Sequence, residues 1–276
     1  MVERYVKDGD SSAVKWIFLI IFAALFLLDL WLILTGRIHA FDDAVLRAFL
    51  GIRDDALTTV FLGITFVGNQ TTMIALCVLA IILPGRLKIG LPVALMTLIG
   101  WLAHTLLKAA VARPRPDMEY WLVTETSYSF PSGHSNASMI FFAALLILAG
   151  RALILQDNRL AALLLRIVLA VLATLIGLSR LYLGVHYASD VLGGWLLAGV
   201  ILVVLFAVYE NFWPYKWRVT YDIPEWNAIP RNAEKHRAWR KPSKKRAPAE
   251  LLKFPKNRSP WRTAKPVAKK EEPEKK

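Results

Sequence analysis

A single cysteine, Cys77, stands in the 276 residues, so no internal disulfide holds this chain together. Its place inside an apolar run marks it as an inert buried thiol. Acidic residues are scarce as well: 21 Asp and Glu face 34 Lys and Arg, for a net charge of +13. No internal repeat is visible, which argues against solenoid or propeller arrays. Charge of either sign is almost missing from several long stretches, and those stretches decide the class. A chain that is 56% hydrophobic with a mean hydropathy of +0.43 is too apolar for an ordinary soluble domain.

About 20 consecutive apolar residues cross a bilayer core, and six runs qualify or come near. They cover 16–35 (interrupted only by Asp29), 71–84 (continuing outward from Phe66), 89–107, 138–150 (extended at its start by "SGHSNA"), 161–178 and 191–209. The first is too long for a cleaved secretory signal and lacks a small-residue cleavage site, so it reads as a retained anchor. The expectation is an all-α polytopic membrane protein of six transmembrane helices.

Lys and Arg beside the spans set the orientation. Arg4, Lys7 and Lys15 precede the first span, Arg86 and Lys88 lie in one turn, and Arg151 and Arg159 in the next loop on the same side. The tail after Glu210 carries nineteen Lys and Arg against seven Asp and Glu. Both termini are therefore expected in the cytoplasm, in what reads as a bacterial inner membrane. The expected division is a cytoplasmic N-terminus over 1–15, a membrane domain over 16–210 with an amphipathic outer loop at 36–68, and a basic tail over 211–276. That tail opens with "NFWPYKWRVTYDIPEW", suited to a membrane interface, and continues rich in Lys and Pro, a composition unable to fold alone. Its expected partner is anionic cytoplasmic lipid, at about 1 kcal/mol per basic residue near the surface. Nucleic acid is not expected, because no stacking platform or groove-reading motif accompanies the charge.

Three polar islands then fall on the opposite, outer side: "KAAVARPRP" (108–116), "FPSGHS" (130–135) and "SRLYLGVHYASD" (179–190). Each alone has an ordinary explanation. Lys108, Arg113 and Arg115 can snorkel at a helix end, Pro114 and Pro116 can stop a helix, Ser132 can cap one, and His186 with Asp190 can be a structural pair. Together those explanations fail. Lys108, Arg115 and Arg180 against Asp190 leave a positive surplus, and ionisable groups at membrane depth are costly unless paired or functional. A positive pocket at a membrane surface suits an anion. Arginine forks and a lysine point charge match phosphate oxygens, and Ser132 and Gly133 bring backbone N–H groups to a helix start, where phosphate is favoured.

Two histidines supply the reactivity. His186 and Asp190, four apart on a helix, share a face, so the carboxylate can hold one ring N–H and leave the other nitrogen free to attack. His134, on another segment, can protonate the departing oxygen and then deprotonate water. Three cations already offset phosphate charge, so neither metal nor cofactor is required.

These residues resemble the signature of the type 2 phosphatidic acid phosphatase superfamily: K-x6-R-P, P-S-G-H and S-R-x5-H-x3-D. This chain reads Lys108, Arg115 and Pro116; Pro131, Ser132, Gly133 and His134; and Ser179, Arg180, His186 and Asp190. The resemblance covers roughly residues 15–210 and does not reach the tail. It implies a six-helix core of the phosphatase and haloperoxidase type, a metal-free site at the outer surface, and a phosphohistidine on His186. The apolar spans disfavour the soluble vanadate-dependent haloperoxidase branch. The expected substrate is a lipid phosphate: undecaprenyl diphosphate, phosphatidylglycerol phosphate, phosphatidate or a lipid A phosphate. A lipid-to-lipid phosphotransferase is the alternative within enzymes, and an anion transporter the one outside them, although paired broken helices and inverted repeats are not evident. Tyr120, Trp121 and the 36–68 loop are read as interfacial anchors that can also shape a lipid entrance.

Overall fold

Helices form because lipid offers no partner for backbone N–H and C=O groups, which must then bond within their own segment. The computed structural model describes residues 9–83, 85–155 and 158–213, and every regular element among them is helical. In chain order these are α1 (Gly9–Leu34), α2 (His39–Gly51), α3 (Asp55–Val67), α4 (Gln70–Ile82), a π-helical turn (Arg86–Gly90), α5 (Leu91–Val111), a 3₁₀ turn (Met118–Tyr120), α6 (Gly133–Leu155), α7 (Arg159–Tyr182) and α8 (Ala188–Phe212). Among the described residues, five stretches are long and apolar enough to cross a membrane: Ala13–Leu34, Arg86–Val111, Gly133–Ile154, Arg159–Tyr182 and Ala188–Phe212. A sixth is counted if α3 and α4, bent by 50°, act as one span.

The bend revises the reading of 36–84. That region was expected to hold an outer loop followed by one short span; it holds α2, then a broken α3–α4 pair. The break has a local cause. Asn69 caps α4, its Oδ1 accepting from Thr72 N at 2.7 Å, and Asn at an N-cap outcompetes continuation of the preceding helix. Next to it, a Cβ on Gly68 would lie 2.3 Å from Ile176 Cγ2 and 3.2 Å from His134 Cδ2. Only glycine lets the kink approach α7 so closely.

α6 lies at the centre, packed against α4, α5, α7 and α8. Its Ile140, Phe141, Ala144 and Leu148 interlock with Val93 and Met96 of α5, Ala173 and Ile176 of α7, and Ala198 and Leu202 of α8. Since lipid is as apolar as these side chains, close packing through small residues such as Ala144, Ala173 and Ala198 is what binds the helices. α1 joins at the edge, where Phe26 stacks on Phe130 with ring centroids 6.0 Å apart. Outer faces carry exposed Ile20, Leu27, Leu106, Leu160 and Val168, whereas Asp29, Asp42, Lys108, Arg113, Arg180, His186 and Asp190 are buried. Apolar outside with ions within is the distribution a bilayer demands.

The expectations for the cytoplasmic tail concern residues 211–276 and, apart from 211–213, lie outside the described residues.

Candidate active site

Helix ends build the site. Lys108 sits in the last turn of α5, His134 in the first turn of α6, Arg180 in the last turn of α7 and Asp190 in the first turn of α8. The loop 112–132 and the turn 183–187 close over them. Backbone bonds fasten these pieces: Ser129 N donates to Arg113 O at 2.8 Å and Ser132 N to Asp190 O at 2.9 Å. The 183–187 turn needs a left-handed residue, and Gly184 provides it at φ +73°. A Cβ there would fall 2.2 Å from Tyr120 O. Arg53 locks the same corner, its Nε donating to Tyr182 O at 2.9 Å and its Nη2 to Tyr120 O at 2.7 Å.

His186 lies in that turn, ahead of α8, and not on a helix face as its four-residue spacing from Asp190 suggests. The two still meet, because Asp190 folds back over the helix start: its Oδ2 lies 3.4 Å from His186 Nδ1 and accepts from Tyr187 N at 2.8 Å. Ser129 Oγ also donates to Asp190 Oδ2 and stands 3.4 Å from Nδ1. On the other ring nitrogen, Arg115 Nη1 approaches Nε2 at 3.1 Å. These neighbours select the tautomer. A carboxylate only accepts and a guanidinium only donates, so the proton belongs on Nδ1 and the lone pair on Nε2. Burial first, then the cations Arg115, Lys108, Arg180 and Arg113, push the His186 pKa well below the usual imidazole value. The ring is thereby kept neutral, as an attacking nitrogen must be.

Arg115 is held from all sides. Its Nε donates to Ser127 O at 2.7 Å, Nη1 to Val185 O at 2.7 Å, and Nη2 to Ser127 Oγ and Glu125 Oε2, both at 3.2 Å. Arg180 donates from Nη1 to Thr65 Oγ1 at 2.6 Å and from Nη2 to Glu125 Oε1, while its buried Nε has no hydrogen-bond partner among the described residues. Lys108 Nζ reaches Ser127 Oγ at 3.5 Å. Lys108 and Arg113 are both buried, so neither snorkels. His134, half-buried, lies within Coulombic reach of His186, Arg180, Lys108 and Arg115. It lines a cavity of about 310 Å³ with Leu62, Thr65, Phe66, Glu125 and Arg180. A larger cavity of about 710 Å³ opens among Arg115, Trp121, Glu125 and Ser127.

His186, Asp190, Arg115, Arg180, Lys108 and His134 thus gather at one end of the bundle. Ser132 is engaged differently from what its place in the islands suggests. Its N–H is taken by Asp190 O, and its hydroxyl accepts from Ser135 Oγ at 3.0 Å, so it clasps α6 to α8. Gly133 packs on His104, where a Cβ would lie 2.9 Å from Nε2. Trp121 points its Nε1 to Pro116 O at 2.9 Å. Sequence reasoning missed two carboxylates. Glu125 pairs with both Arg115 and Arg180, which removes much of the expected cationic surplus, and Asp42 of α2 pairs with Arg113 at 2.6 Å.

A family model described as the PAP2 superfamily matches residues 89–214, the stretch that holds Lys108, Arg115, Ser132, Gly133, His134, Arg180, His186 and Asp190. Phosphatidylglycerophosphatase B of Bacillus subtilis is 34% identical over 181 residues, covering 64% of this chain and 87% of that protein. The chain belongs to the PAP2 superfamily. Another relative, the lipid A 1-phosphatase of Rhizobium etli, is 33% identical over 149 residues, covering 47% of this chain and 58% of that protein. The crystal structure of a transmembrane PAP2-type phosphatidylglycerolphosphate phosphatase from Bacillus subtilis superposes with a TM-score of 0.64 at 29% identity, covering 71% of this chain and 98% of that one. The PAP2 fold and the membrane character of the chain follow together: this is an integral membrane protein whose relatives are phosphatases.

Proposed function

We propose that this PAP2 protein is a phosphatase that hydrolyses a phosphate ester or diphosphate on a membrane lipid through a phosphohistidine on His186. The observation that carries the reading is the pairing on the imidazole: a carboxylate at Nδ1 and a cation facing the Nε2 lone pair. That is where a phosphoryl group drawn to Arg115 would arrive. Nε2 attacks phosphorus in line, the bond from phosphorus to the lipid oxygen breaks, and His134 protonates that oxygen. Water, deprotonated by His134, then cleaves the nitrogen–phosphorus bond and frees phosphate. Lys108, Arg115, Arg180 and the Gly133 backbone region hold the phosphoryl oxygens, with Ser132 fixing the helix start that presents Gly133. Three cations around one phosphoryl group supply the charge stabilisation that such a transfer needs.

Support for a lipid substrate comes from two sides. The named relatives act on phosphatidylglycerophosphate and lipid A, and the site lies at the ends of apolar helices, where a headgroup sits while its chains stay in the bilayer. The Lys and Arg distribution supports the reading in which this end faces the periplasm across a bacterial inner membrane and both termini lie in the cytoplasm. The basic residues of 211–276 then lie close to anionic cytoplasmic lipid.

The test is phosphate release by purified full-length protein in detergent from phosphatidylglycerol phosphate, phosphatidate, undecaprenyl diphosphate and lipid A. Release from at least one, abolished by His186→Asn, is expected. Release that survives the substitution refutes the role of His186. A labelled lipid product in place of free phosphate would mark a phosphotransferase. For orientation, Cys77→Ala combined with Ser127→Cys in spheroplasts should react with an impermeant maleimide; protection until the membrane is opened would reverse the topology.

A further inference from the structure

Arg113 and Asp42 are not part of the phosphate cradle, yet they are among the most deeply buried charges in the protein. Asp42 is fully buried and Arg113 is 6% exposed. Arg113 splits its fork between two carboxylates, Nη2 donating to Asp42 Oδ2 at 2.6 Å and Nη1 to Asp190 Oδ1 at 2.7 Å. Ser189 ties the group together. Its N–H donates to Asp42 Oδ1 at 2.9 Å, its hydroxyl donates to Asp42 Oδ2 at 2.6 Å, and its oxygen accepts from Arg113 Nη1 at 2.7 Å. Asp190 therefore has one oxygen fixed by Arg113 and the other turned toward Nδ1 of His186. The Arg113 pKa is raised even though burial alone would lower it, because Asp190 and Asp42 together outweigh burial.

A buried ionic trio is a poor way to hold helices together, since apolar residues of similar volume often do so at least as well. Its charge count has a chemical consequence. Arg113 with Asp190 alone is neutral; Asp42 makes the cluster net −1. When Nε2 of His186 bonds to phosphorus, the ring keeps its Nδ1 proton and becomes a cation, while the electron pair of the broken P–O bond goes to the leaving oxygen. A neutral pair beside that cation would stabilise it little. A net negative cluster, fixed in place and shielded from water, stabilises it well.

We infer that Asp42 and Arg113 are positioning residues for phosphoryl transfer: Arg113 aims Asp190 at His186, and Asp42 restores the negative charge that Arg113 would otherwise cancel. This rests on the proposed role of His186 as nucleophile. It also gives α2, the helix that replaces the expected outer loop, a function in the chemistry. The other charges facing His186 and Asp190 are Arg115 from the loop, Lys108 from α5, His134 from α6, Arg180 from α7 and Asp29 from α1, with Glu125 behind the arginines. All remain in the variants below, so differences report on the trio.

The experiment is a double-mutant cycle on full-length protein in detergent micelles. It measures phosphate release from a short-chain phosphatidate, or from whichever lipid phosphate of the panel above the wild type cleaves. Asp42→Asn should lower kcat about tenfold, leave KM within about twofold, and slow formation of acid-labile phosphoenzyme by the same factor. In an Asp190→Asn background the same change should still lower the residual kcat by a comparable factor, because the charge of Asp42 acts on the imidazolium through space and does not require the Asp190 carboxylate. Arg113→Lys, which keeps the charge but cannot fork, should fall between wild type and Asp42→Asn. The inference is overturned if kcat of Asp42→Asn stays within twofold of wild type, if the loss appears in KM, or if it vanishes beside Asp190→Asn, since Asp42 would then act only by holding Asp190 in place. It is also overturned if neither variant elutes and melts as a folded protein, since the trio is then merely structural. If the wild type cleaves nothing in the panel, or His186→Asn retains the wild-type rate, the proposed function fails instead.

Discussion

Glu125 occupies the arginine forks that the proposed substrate needs, and that makes its charge a measurable obstacle. Its two oxygens pair with Arg115 Nη2 at 3.2 Å and with Arg180 Nη2. A phosphoryl group seated on the same guanidinium groups would approach the carboxylate to roughly 5 Å, where a unit of like charge costs about 3 kcal/mol at an effective dielectric near 20. Glu125 is 21% exposed, so water and side-chain movement reduce that to about 1–2 kcal/mol. Glu125→Gln keeps the shape and removes the charge. The expected outcome is inorganic phosphate binding about tenfold more tightly, read as a lower inhibition constant against lipid phosphate hydrolysis and as tighter binding by phosphorus NMR titration. Orthovanadate should show the same direction. Raising the salt concentration should narrow the gap between wild type and variant, because screening weakens the repulsion in the wild type alone. If phosphate binds Glu125→Gln no better than wild type, or binds it worse, Glu125 is not competing for the cradle, and the seat assigned to the phosphoryl group is wrong.

Three further outcomes follow from the same geometry. Gly184→Ala should destabilise the protein by about 1–3 kcal/mol, seen as a melting temperature several degrees lower in detergent, because φ is +73° and Tyr120 O would crowd the new Cβ; an unchanged melt would refute the account of that turn. Lowering the pH should leave His186 neutral below the ordinary imidazole range, since its folded pKa is depressed, so the acid limb of kcat/KM belongs below about 6.5, and a limb at or above that value contradicts the burial argument. The stability sign agrees: the unfolded chain protonates His186 first, so the folded state is fully stable above the unfolded pKa and loses stability as pH falls through and below it. Lipid phosphate hydrolysis should survive saturating chelator, because three cations serve the phosphoryl group; inhibition reversed by one divalent ion would overturn that reading.

Much of the fold was legible because membrane spans declare themselves by length. The runs over 16–35, 89–107, 138–150, 161–178 and 191–209 each mark a helix found in α1, α5, α6, α7 and α8. What hydropathy could not show was how the chain divides 36–84. A window that averages apolar character sees one weak span there, whereas the division depends on one capping side chain, Asn69, and one close approach, Gly68 against Ile176. Both effects are local stereochemistry, which composition does not carry. Likewise α2 reads as an amphipathic surface segment until its partner is known, because Asp42 on a polar face looks the same whether that face meets water or Arg113.

The site shows the same division between what spacing encodes and what folding adds. Lys108, Arg115, His134, Arg180, His186 and Asp190 were visible together because their spacings are rigid: each island is a helix end or a short turn, so residue order fixes geometry within it. Glu125 and Asp42 sit on a loop and on a helix with no motif around them, and nothing local distinguishes Glu125 from Glu119 or Asp42 from Asp43. A charge count could still have found them. Six cationic or imidazole groups buried in a membrane-level pocket with one carboxylate cannot be stable, so additional acids had to come from elsewhere in the chain. The unassigned acids near that outer end are Asp29 and those in 36–68 and 117–125. Electroneutrality under burial thus narrows the search to a handful of residues, and the structure's choice of Asp42 and Glu125 assigns them opposite tasks. One carboxylate lies behind the nucleophile and strengthens the charge that develops there, and the other lies in front and must yield before the phosphoryl group can be seated.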